Sequence, residues 1–315
     1  MCTECGASYP SVAGILDLRL ELPGYDLDEE RETVRWLVQE TDGASAEETL
    51  RYVLASRDGW EPGRVGHRVR QVIEAPLRAE DELTEWLRGV LEPDGLNLDL
   101  GCGPGGFIAG AARQNLSVAG IDLSLSGLLI AKRLIEEHGG LPKLAAGLAE
   151  ALPLPSGAVD AVVSLDVVEH LPDRCSYLRQ VERVLRPGGR LAFATPNRFS
   201  LTAEPHVGIW GVGWLPQRYQ KAYVRWRTGD EYESVWLLSS YDMKRLVARC
   251  TGMTLEVIIP AVPRQEIAAF GRLKATMGRL YNRVRAWPFV KPIMLMIGPF
   301  FRAVATKPAT ATAQR

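Results

Sequence analysis

Short apolar runs alternate with segments of helical periodicity through the middle of the chain. The apolar runs predict five strands, and the segments between them predict helices near 105–115, 124–138 and 173–186. Strands separated by helices are typical of βαβ units, which pair into a parallel sheet with right-handed crossovers. Two later runs predict a closing antiparallel pair. The seven predicted strands are 96–100, 117–121, 142–147, 159–165, 189–195, 253–260 and 300–308.

The segments outside this alternation predict how the rest of the chain is organised. We expect a short hairpin at 1–20, a helical N-terminal cap at 21–69 and an α/β domain at 70–310. The acidic helical patterns of the cap predict a solvated surface rather than a binding surface. Two insertions are predicted inside the domain, at 197–238 and 262–298, and the last residues, 309–315, are predicted to be a disordered tail.

Composition and charge narrow the function classes. The chain has 315 residues, of which 46% are hydrophobic and 24% charged, a balance that is ordinary for a globular protein. Its formal net charge of −1 gives no overall attraction to nucleic acid. The first residues lack the apolar core of a signal peptide, and no run approaches the ~20 apolar residues of a membrane span. A cytoplasmic location is expected, with peripheral membrane contact as an option.

The five cysteines are scattered and do not predict a disulfide framework. Cys2 and Cys5 form a C-x-x-C pair, and the stretch "CTECGASYPSVAGILDLR" resembles the second half of a zinc ribbon. A closed structural zinc site needs four ligands, and no second C-x-x-C pair follows. Either the true start lies upstream of Met1 or the ribbon has decayed. We favour a short β-hairpin without metal.

The motif "NLDLGCGPGGF" at 97–107 follows the first predicted strand. Its glycines, Gly101, Gly103 and Gly106, have the G-x-G-x-x-G spacing that lets backbone approach a dinucleotide pyrophosphate. Asp99 stands two residues before the first glycine and would repel a pyrophosphate. A ligand that presents an ammonium group would instead be attracted, and S-adenosylmethionine has such a group and no phosphate.

Together with three later stretches, the motif resembles the class I S-adenosylmethionine-dependent methyltransferases, in particular their type 11 group. These stretches are "VAGIDLS", "ALPLPSGAVDAVVSLDVVEHLPD" and "VLRPGGRLAFATPN". The resemblance implies a Rossmann-like seven-stranded sheet, helices on both of its faces, an antiparallel last strand and S-adenosylmethionine as the cofactor. It also implies a set of cofactor-binding residues: Asp99, Gly101, Cys102, Gly103, Asp122, Leu123, Ala149 and Leu165.

Within this set, the resemblance places Asp99 and the glycines at the methionine end of the cofactor and Asp122 on the ribose hydroxyls. There is one departure from the family pattern. Relatives often read "GDAEALP" after the third strand, with the aspartate near the adenine amino group, whereas this chain has Leu148 at that position. A leucine cannot accept the amino hydrogens. The adenine contact is therefore expected to be apolar, or to come from the backbone near Ala149.

His170 and His206 are the candidates for a catalytic base. His170 belongs to "SLDVVEHLPD", and the competing interpretation is that its Glu-His pair caps and orients the next helix. This D-x-x-E-H arrangement, Asp166, Glu169 and His170, also resembles some quinone O-methyltransferases that place a divalent metal there. We predict no metal.

The segment after the fifth strand, 197–236, holds four of the eight tryptophans, and a loop of this length is uncommon unless it has a function. It contributes the predicted acceptor-binding residues Asn197, Trp210 and Trp214. The competing interpretation is a satellite core beneath a long insertion.

The insertion at 262–298 carries an apolar stripe at helical spacing, Phe270, Leu273, Met277, Leu280 and Val284. Arg272, Lys274, Arg279, Arg283 and Arg285 flank it. Such a basic amphipathic helix is typical of a membrane-surface element. The competing interpretation is a stripe that packs on the protein's own body or on a second subunit.

These observations predict an enzyme that transfers a methyl group from S-adenosylmethionine to a small hydrophobic or lipid-linked acceptor, at oxygen. Three alternatives remain open: RNA methylation, a non-catalytic partner subunit that binds S-adenosylmethionine, and an NAD-dependent oxidoreductase. Asp99 argues against the oxidoreductase. The basic residues cluster in the apolar helix rather than beside the glycine loop, which argues against a nucleic-acid partner.

Overall fold

The computed structural model describes residues 6, 8–19, 25–56, 62–87, 89–229, 231–262, 267, 271–285 and 287–309. Cys2 and Cys5 lie outside these residues, so the zinc question stays a prediction. The chain divides into two compact units. The first comprises Met1–Val163 and Arg183–Gly189, and the second comprises Ser164–Glu182 and Arg190–Arg315.

The first unit is built on parallel strands. Its strands are β1 (Ser11–Val12), β2 (Ile15–Asp17), β3 (Asn97–Leu100), β4 (Val118–Asp122), β5 (Leu144–Ala146) and β6 (Val159–Leu165), whose last two residues belong to the second unit. They lie in the order β1-β2-β5-β4-β3-β6. All neighbouring pairs are parallel except the β1–β2 hairpin, and β2 extends the sheet at β5. The predicted N-terminal hairpin is therefore the edge of the sheet.

Six α-helices are present among the described residues of this unit, and local capping explains where three of them begin. They are α1 (Leu27–Glu40), α2 (Ala46–Ala55), α3 (Pro62–Ile73), α4 (Ala75–Glu82), α5 (Gly106–Arg113) and α6 (Leu125–Glu137). Asp26, Ser45 and Ser124 accept backbone N–H groups at the starts of α1, α2 and α6, which satisfies donors that the helix leaves free. Ser124 lies two residues after the end of β4. The cap of α6 therefore sets the turn that follows Asp122.

The second unit contains three strands that form antiparallel pairs. They are most of β7 (Leu185–Pro196), β8 (Thr254–Ile258) and β9 (Phe300–Thr306). The strand β9 pairs antiparallel with both β7 and β8. The helices assigned largely or wholly to this unit are α7 (Arg174–Val184), α8 (Gln217–Thr228), α9 (Ser240–Cys250), α10 (Arg272–Val284) and α11 (Val290–Ile297). The predicted antiparallel closing pair is thus β8 and β9.

A disulfide joins Cys175 at the start of α7 to Cys250 at the end of α9. The scatter of the cysteines gave no indication of this bond. The two residues are 75 positions apart in the sequence, so they meet only in the folded chain. Cysteine-spacing rules recognise pairs that are close in the sequence, so they do not predict a single disulfide between distant cysteines.

The predicted fold class is confirmed: all seven predicted strands are present as β3 to β9. The described residues hold nine strands rather than seven, because the N-terminal hairpin adds β1 and β2. One boundary differs. The fifth strand was predicted at 189–195, but β7 already begins at Leu185 and runs through the "RPGG" stretch. Among the described residues, no helix is long and apolar enough to cross a membrane.

Candidate functional site

The glycine loop is held against the neighbouring strand by backbone hydrogen bonds. The amides of Gly101 and Cys102 donate to the carbonyl of Ile121 at 2.7 and 3.2 Å. Gly103 has a φ of +48°, and a side chain added there would meet nothing within 4 Å. The left-handed backbone explains the glycine, and the open space beside it leaves the main chain accessible to a ligand. Contact of this backbone with a ligand stays a prediction.

Asp99 lies on β3 just before this loop and is only 3% exposed. The described residues offer its carboxylate no hydrogen-bond donor. Burial, followed by the charge of Asp122, raises the pKa of Asp99 to about 8. A buried carboxyl without a donor is costly unless a cation or donor reaches it. The site therefore fits a ligand that brings a positive charge, as the α-ammonium of S-adenosylmethionine does.

Asp122 ends β4 and binds the loop from the other side. One of its carboxylate oxygens accepts the amide of Gly103 and the other accepts the amide of Ser124, each at 2.8 Å. Burial raises the pKa of Asp122, and these two bonds oppose the rise. Each carboxylate oxygen can accept more than one hydrogen bond. Asp122 therefore orders the loop and still has acceptor capacity for a pair of ribose hydroxyls.

The N-terminal elements brace the turn that follows Asp122. Arg19 donates through Nη1 to the carbonyl of Leu123 at 2.8 Å, and Glu30 on α1 accepts the amide of Leu125 at 3.0 Å. Arg19 also pairs with Glu30 and with the buried Asp17. The cap, which the sequence predicted to be a solvated surface, thus contacts the candidate cofactor site. In the sequence, the run of acidic residues on α1 was the only sign of this contact.

The other predicted cofactor residues are less exposed to a ligand or lie elsewhere. Cys102 is a buried free thiol whose pKa is raised well above its ordinary value, because burial disfavours the thiolate. Leu123 is exposed beside Asp122, and Leu148 and Ala149 are half-buried. Leu165 belongs to the second unit. The roles of these residues in cofactor binding stay predictions.

In the second unit, the two candidate bases face each other. The Nε2 atoms of His170 and His206 are 3.2 Å apart, and their rings meet edge to face with centroids 4.9 Å apart. Glu204 accepts a hydrogen bond from Nδ1 of His206 at 2.5 Å. Burial alone would lower the pKa of His206, but the hydrogen bond and charge of Glu204 raise it above its ordinary value. His206 is therefore an imidazole oriented by a carboxylate, which is the arrangement of a general base.

Different surroundings act on His170. Burial lowers its pKa, and Nδ1 contacts the carbonyl of Ser234 at 3.0 Å. The pair thus combines His206, whose pKa is raised, with His170, whose pKa is lowered. Two titratable groups pushed apart in this way can divide acid and base roles.

Glu169 is the buried member of the same cluster. Its Oε2 accepts the hydroxyl of Thr195 at 2.9 Å, while Oε1 is buried without a hydrogen-bond partner. Burial, followed by the charge of Asp166, raises the pKa of Glu169 to about 7. Ligand atoms of Glu169, His170 and His206 lie within 4.8 Å of one another, so this trio could hold one small cation. It differs from the D-x-x-E-H set, in which Asp166 takes the place of His206.

The 197–236 segment forms a small core of its own, but not from its tryptophans. The cluster contains Val212, Val224 and Tyr232, whereas Trp210 and Trp214 are exposed. The indole of Trp214 donates to the carbonyl of Ser200 at 3.0 Å and packs against Phe199. The satellite core therefore exists, and the two predicted acceptor-binding tryptophans stand outside it.

Asn197, the third predicted acceptor residue, is buried at the end of β7. Its amide nitrogen lies 2.9–3.2 Å from the carbonyls of Leu295, Met296 and Gly298. These bonds hold the end of α11 against the start of the segment. An acceptor role for Asn197 stays a prediction.

Comparison with known proteins gives independent evidence on the family of this chain. Residues 98–193 match a family model described as a methyltransferase domain. An uncharacterized 37.1 kDa protein of transposon TN4556 from Streptomyces fradiae is 39% identical over 34% of this chain and 32% of its own length. A protein named ubiquinone biosynthesis O-methyltransferase, from Methylobacterium, is 33% identical over 55% of this chain and 72% of its own length. The first match thus spans about a third of that relative.

Among solved structures, a phosphoethanolamine N-methyltransferase from Haemonchus contortus aligns with a TM-score of 0.51 at 19% identity. The alignment covers 82% of this chain and 60% of the other protein, which was crystallised with phosphomonomethylethanolamine and S-adenosylhomocysteine. At this identity the likeness concerns the fold.

Proposed function

This chain belongs to the class I S-adenosylmethionine-dependent methyltransferases, and we propose that it methylates an oxygen of a small, hydrophobic or lipid-linked acceptor. The observation that carries the oxygen assignment is the bond between Glu204 and Nδ1 of His206. It makes Nε2, which lies 3.2 Å from Nε2 of His170, the nitrogen that would take a proton. A hydroxyl acceptor must lose a proton on methylation, so a base is useful there. The name of the Methylobacterium relative, a ubiquinone biosynthesis O-methyltransferase, supports the same assignment.

The first unit supplies the groups that would hold S-adenosylmethionine. Asp99 offers an unsatisfied buried carboxylate for its α-ammonium, and Asp122 offers acceptor capacity for its ribose hydroxyls. The cofactor, when bound, supplies an electrophilic methyl group, which the protein itself cannot provide. Asp99 and Asp122 contribute by binding and orienting, since a displacement at carbon depends on the alignment of the two reactants.

The second unit supplies the groups proposed to act on the acceptor. His206 would take the hydroxyl proton at Nε2 while Glu204 stabilises the imidazolium that forms. The free Oε1 of Glu169 is buried and lacks a donor, so it is suited to accept a hydrogen bond from an acceptor hydroxyl. Trp210 and Trp214 offer exposed aromatic surface that a ring-bearing acceptor could cover.

Transfer of a radiolabelled methyl group tests this proposal. Purified protein would be incubated with labelled S-adenosylmethionine and four acceptor sets: hydrophobic phenols and catechols, primary amines, transfer RNA and an organic metabolite extract. We expect label in the phenol set or the lipid-soluble fraction, with loss of about 10²–10⁴-fold in rate for His206→Gln. His67→Gln is the matched control, because His67 is an exposed histidine of the first unit.

Label in the primary amines alone would contradict the oxygen assignment. Label in the RNA fraction alone would identify the RNA alternative, and tight cofactor binding without transfer to any set would identify the non-catalytic partner. Equal rates for the wild type and His206→Gln would contradict the assigned base even if an oxygen acceptor is found.

A further inference from the structure

The segment between β8 and β9 exposes an unusual amount of apolar surface. On α10, Leu273 is 76% exposed, Met277 61% and Leu280 58%. The residues after this helix continue the pattern, since Trp287, Phe289, Ile293 and Met296 are exposed as well. Exposed apolar side chains scattered singly need no explanation, but seven within one short segment mark an interaction surface.

The apolar stripe of α10 points away from the side of the helix that packs on the protein. The inner side is fixed by polar contacts: the hydroxyl of Tyr281 donates to the carbonyl of Pro260 at 3.0 Å, and Asn282 exchanges hydrogen bonds with the backbone of Val262 at 2.8 and 2.9 Å. At 3.6 residues per turn, the centre of the exposed stripe lies about 125° around the helix from the midpoint of Tyr281 and Asn282, and about 160° from the buried Ala275 and Gly278. Leu273, Met277 and Leu280 are therefore not packed on the protein's own body, whereas Val284 is half-buried and Phe270 lies outside the described residues.

The charge beside the stripe has a single sign. Residues 271–299 contain six basic side chains and no acidic one. Arg272, Arg279 and Arg283 follow one edge of the stripe and Lys274 lies on the other. All four are exposed. Long basic side chains beside an apolar stripe can place their methylenes along the membrane boundary and their charges among phosphates.

The surface is continuous with the segment that carries the histidine cluster. The amide of Leu201 donates to the carbonyl of Ile297 at 3.1 Å, and Asn197 holds the last turn of α11. Leu201 is itself exposed. The exposed residues of α11 thus adjoin the segment that contains His206, within the same unit.

We propose that α10 and α11 form a docking surface for membranes that contain anionic lipids. The apolar stripe would enter the boundary between headgroups and acyl chains. The five exposed cations of the segment, which are Arg272, Lys274, Arg279, Arg283 and Lys291, would meet lipid phosphates. This binding does not require methyl transfer, so it goes beyond the proposed function. It would also place the His206 segment near a lipid-dissolved molecule.

Co-sedimentation of the full chain with vesicles tests the proposal. One vesicle type would be phosphatidylcholine alone, and the other would include phosphatidylglycerol. We expect binding to the anionic vesicles at low salt and a marked loss at high salt, because charges on a surface are screened over about 8–10 Å near physiological ionic strength. Arg272→Gln/Arg279→Gln/Arg283→Gln should weaken partitioning roughly 100-fold, since each cation near such a surface contributes a factor of about five.

Two matched controls separate this surface from general effects. Arg35→Gln/Arg68→Gln/Arg70→Gln removes the same charge from exposed positions of α1 and α3 and should leave partitioning nearly unchanged. Leu273→Ser/Met277→Ser should weaken binding to anionic vesicles, whereas Leu77→Ser/Leu141→Ser, two exposed leucines of the first unit, should not. Far-ultraviolet circular dichroism and S-adenosylmethionine binding would confirm that each variant is folded.

Three results would overturn the proposal. The protein could stay in the supernatant with anionic vesicles at low salt. It could bind them equally well after the α10 substitutions. It could also form a dimer in sedimentation velocity that Leu273→Ser/Met277→Ser abolishes, with no vesicle binding, in which case a second copy of the chain covers the stripe.

Discussion

Asp99 on β3 and Asp122 at the end of β4 lie beside the same glycine loop but differ in the hydrogen bonds that each already accepts. Asp122 accepts two backbone amides, whereas the described residues offer Asp99 no donor. Asp99 therefore depends on a ligand for its counter-charge, and Asp122 supports the loop with or without one. This difference predicts distinct consequences for substitutions that remove each negative charge.

Asp99→Asn should weaken S-adenosylmethionine binding by about 1.5–3 kcal/mol, the usual range for a hydrogen bond to a charged group. The free protein holds Asp99 largely protonated near neutrality, because its pKa is raised to about 8. A cationic ligand favours the carboxylate, so binding at about pH 7 should release a proton. Calorimetry in buffers of different ionisation enthalpy measures this release.

The Asn variant should release no proton from this position, and Asp94→Asn, at an exposed carboxylate in the turn before β3, should behave as wild type. Wild-type binding without proton release would show that Asp99 does not face the ammonium group.

The pH dependence of turnover should report the pair of His206 and Glu204. The base must be neutral to accept a proton, and Glu204 raises the pKa of His206. The rate should therefore be low at acidic pH and rise through a pKa above 6.5, the ordinary value of histidine. Glu204→Gln removes the charge that favours the imidazolium, so the rise should move to lower pH. A profile that is unchanged in Glu204→Gln would argue that another group takes the proton.

At the scale of elements, the sequence predicted what is local and missed what is tertiary. Strand positions and the glycine loop follow from periodicity and spacing, which are properties of neighbouring residues, and Asp122 was named from the family resemblance. The contact of Arg19 with Leu123 spans 104 positions, and the pairing of His170 with His206 spans 36. No spacing rule relates such residues, because they meet only when the elements that carry them pack.

The brace between α1 and the turn after β4 should matter for cofactor binding. Glu30 accepts the amide of Leu125 and pairs with Arg19, so it helps to set the backbone beside Asp122. Glu30→Gln should weaken S-adenosylmethionine affinity by about 0.5–1.5 kcal/mol, the net worth of an ordinary hydrogen bond. Glu29→Gln, an exposed neighbour on the same helix, is the control.

Amide hydrogen exchange separates a positioning role for Glu30 from general destabilisation. Faster exchange in Glu30→Gln should be confined to the residues around 123–125. Unchanged affinity in a folded variant would show that the turn holds its shape without the brace.

The exposed ring of Trp214 is predicted to contribute to acceptor binding. Trp214 is fixed by its indole bond to Ser200 and by Phe199, yet its ring remains exposed. Trp214→Ala should raise the KM for the acceptor and leave S-adenosylmethionine affinity unchanged. Trp226→Ala, at an exposed tryptophan on α8, is the matched control and should change neither. Equal effects of the two variants would indicate that Trp214 has no special part in acceptor binding.

At the scale of the whole molecule, the residues proposed for different roles fall in different units. The groups proposed to hold S-adenosylmethionine belong to the first unit, and the histidine cluster, the disulfide and the exposed helices α10 and α11 belong to the second. The disulfide links positions 75 residues apart, so it constrains the unfolded second unit over a long loop. Its loss should therefore lower stability without acting directly on the cofactor site.

Reduction of this bond should lower the free energy of unfolding by about 2–4 kcal/mol, the usual contribution of a disulfide. Urea titration with and without dithiothreitol measures the change. Cys175→Ser/Cys250→Ser should be destabilised to a similar degree and should no longer respond to the reductant, since the remaining described cysteine, Cys102, is a free thiol. S-adenosylmethionine affinity should be equal in the folded wild type and the double variant, because Asp99 and Asp122 lie in the other unit. A wild type that does not respond to the reductant would mean that Cys175 and Cys250 are not bonded in solution.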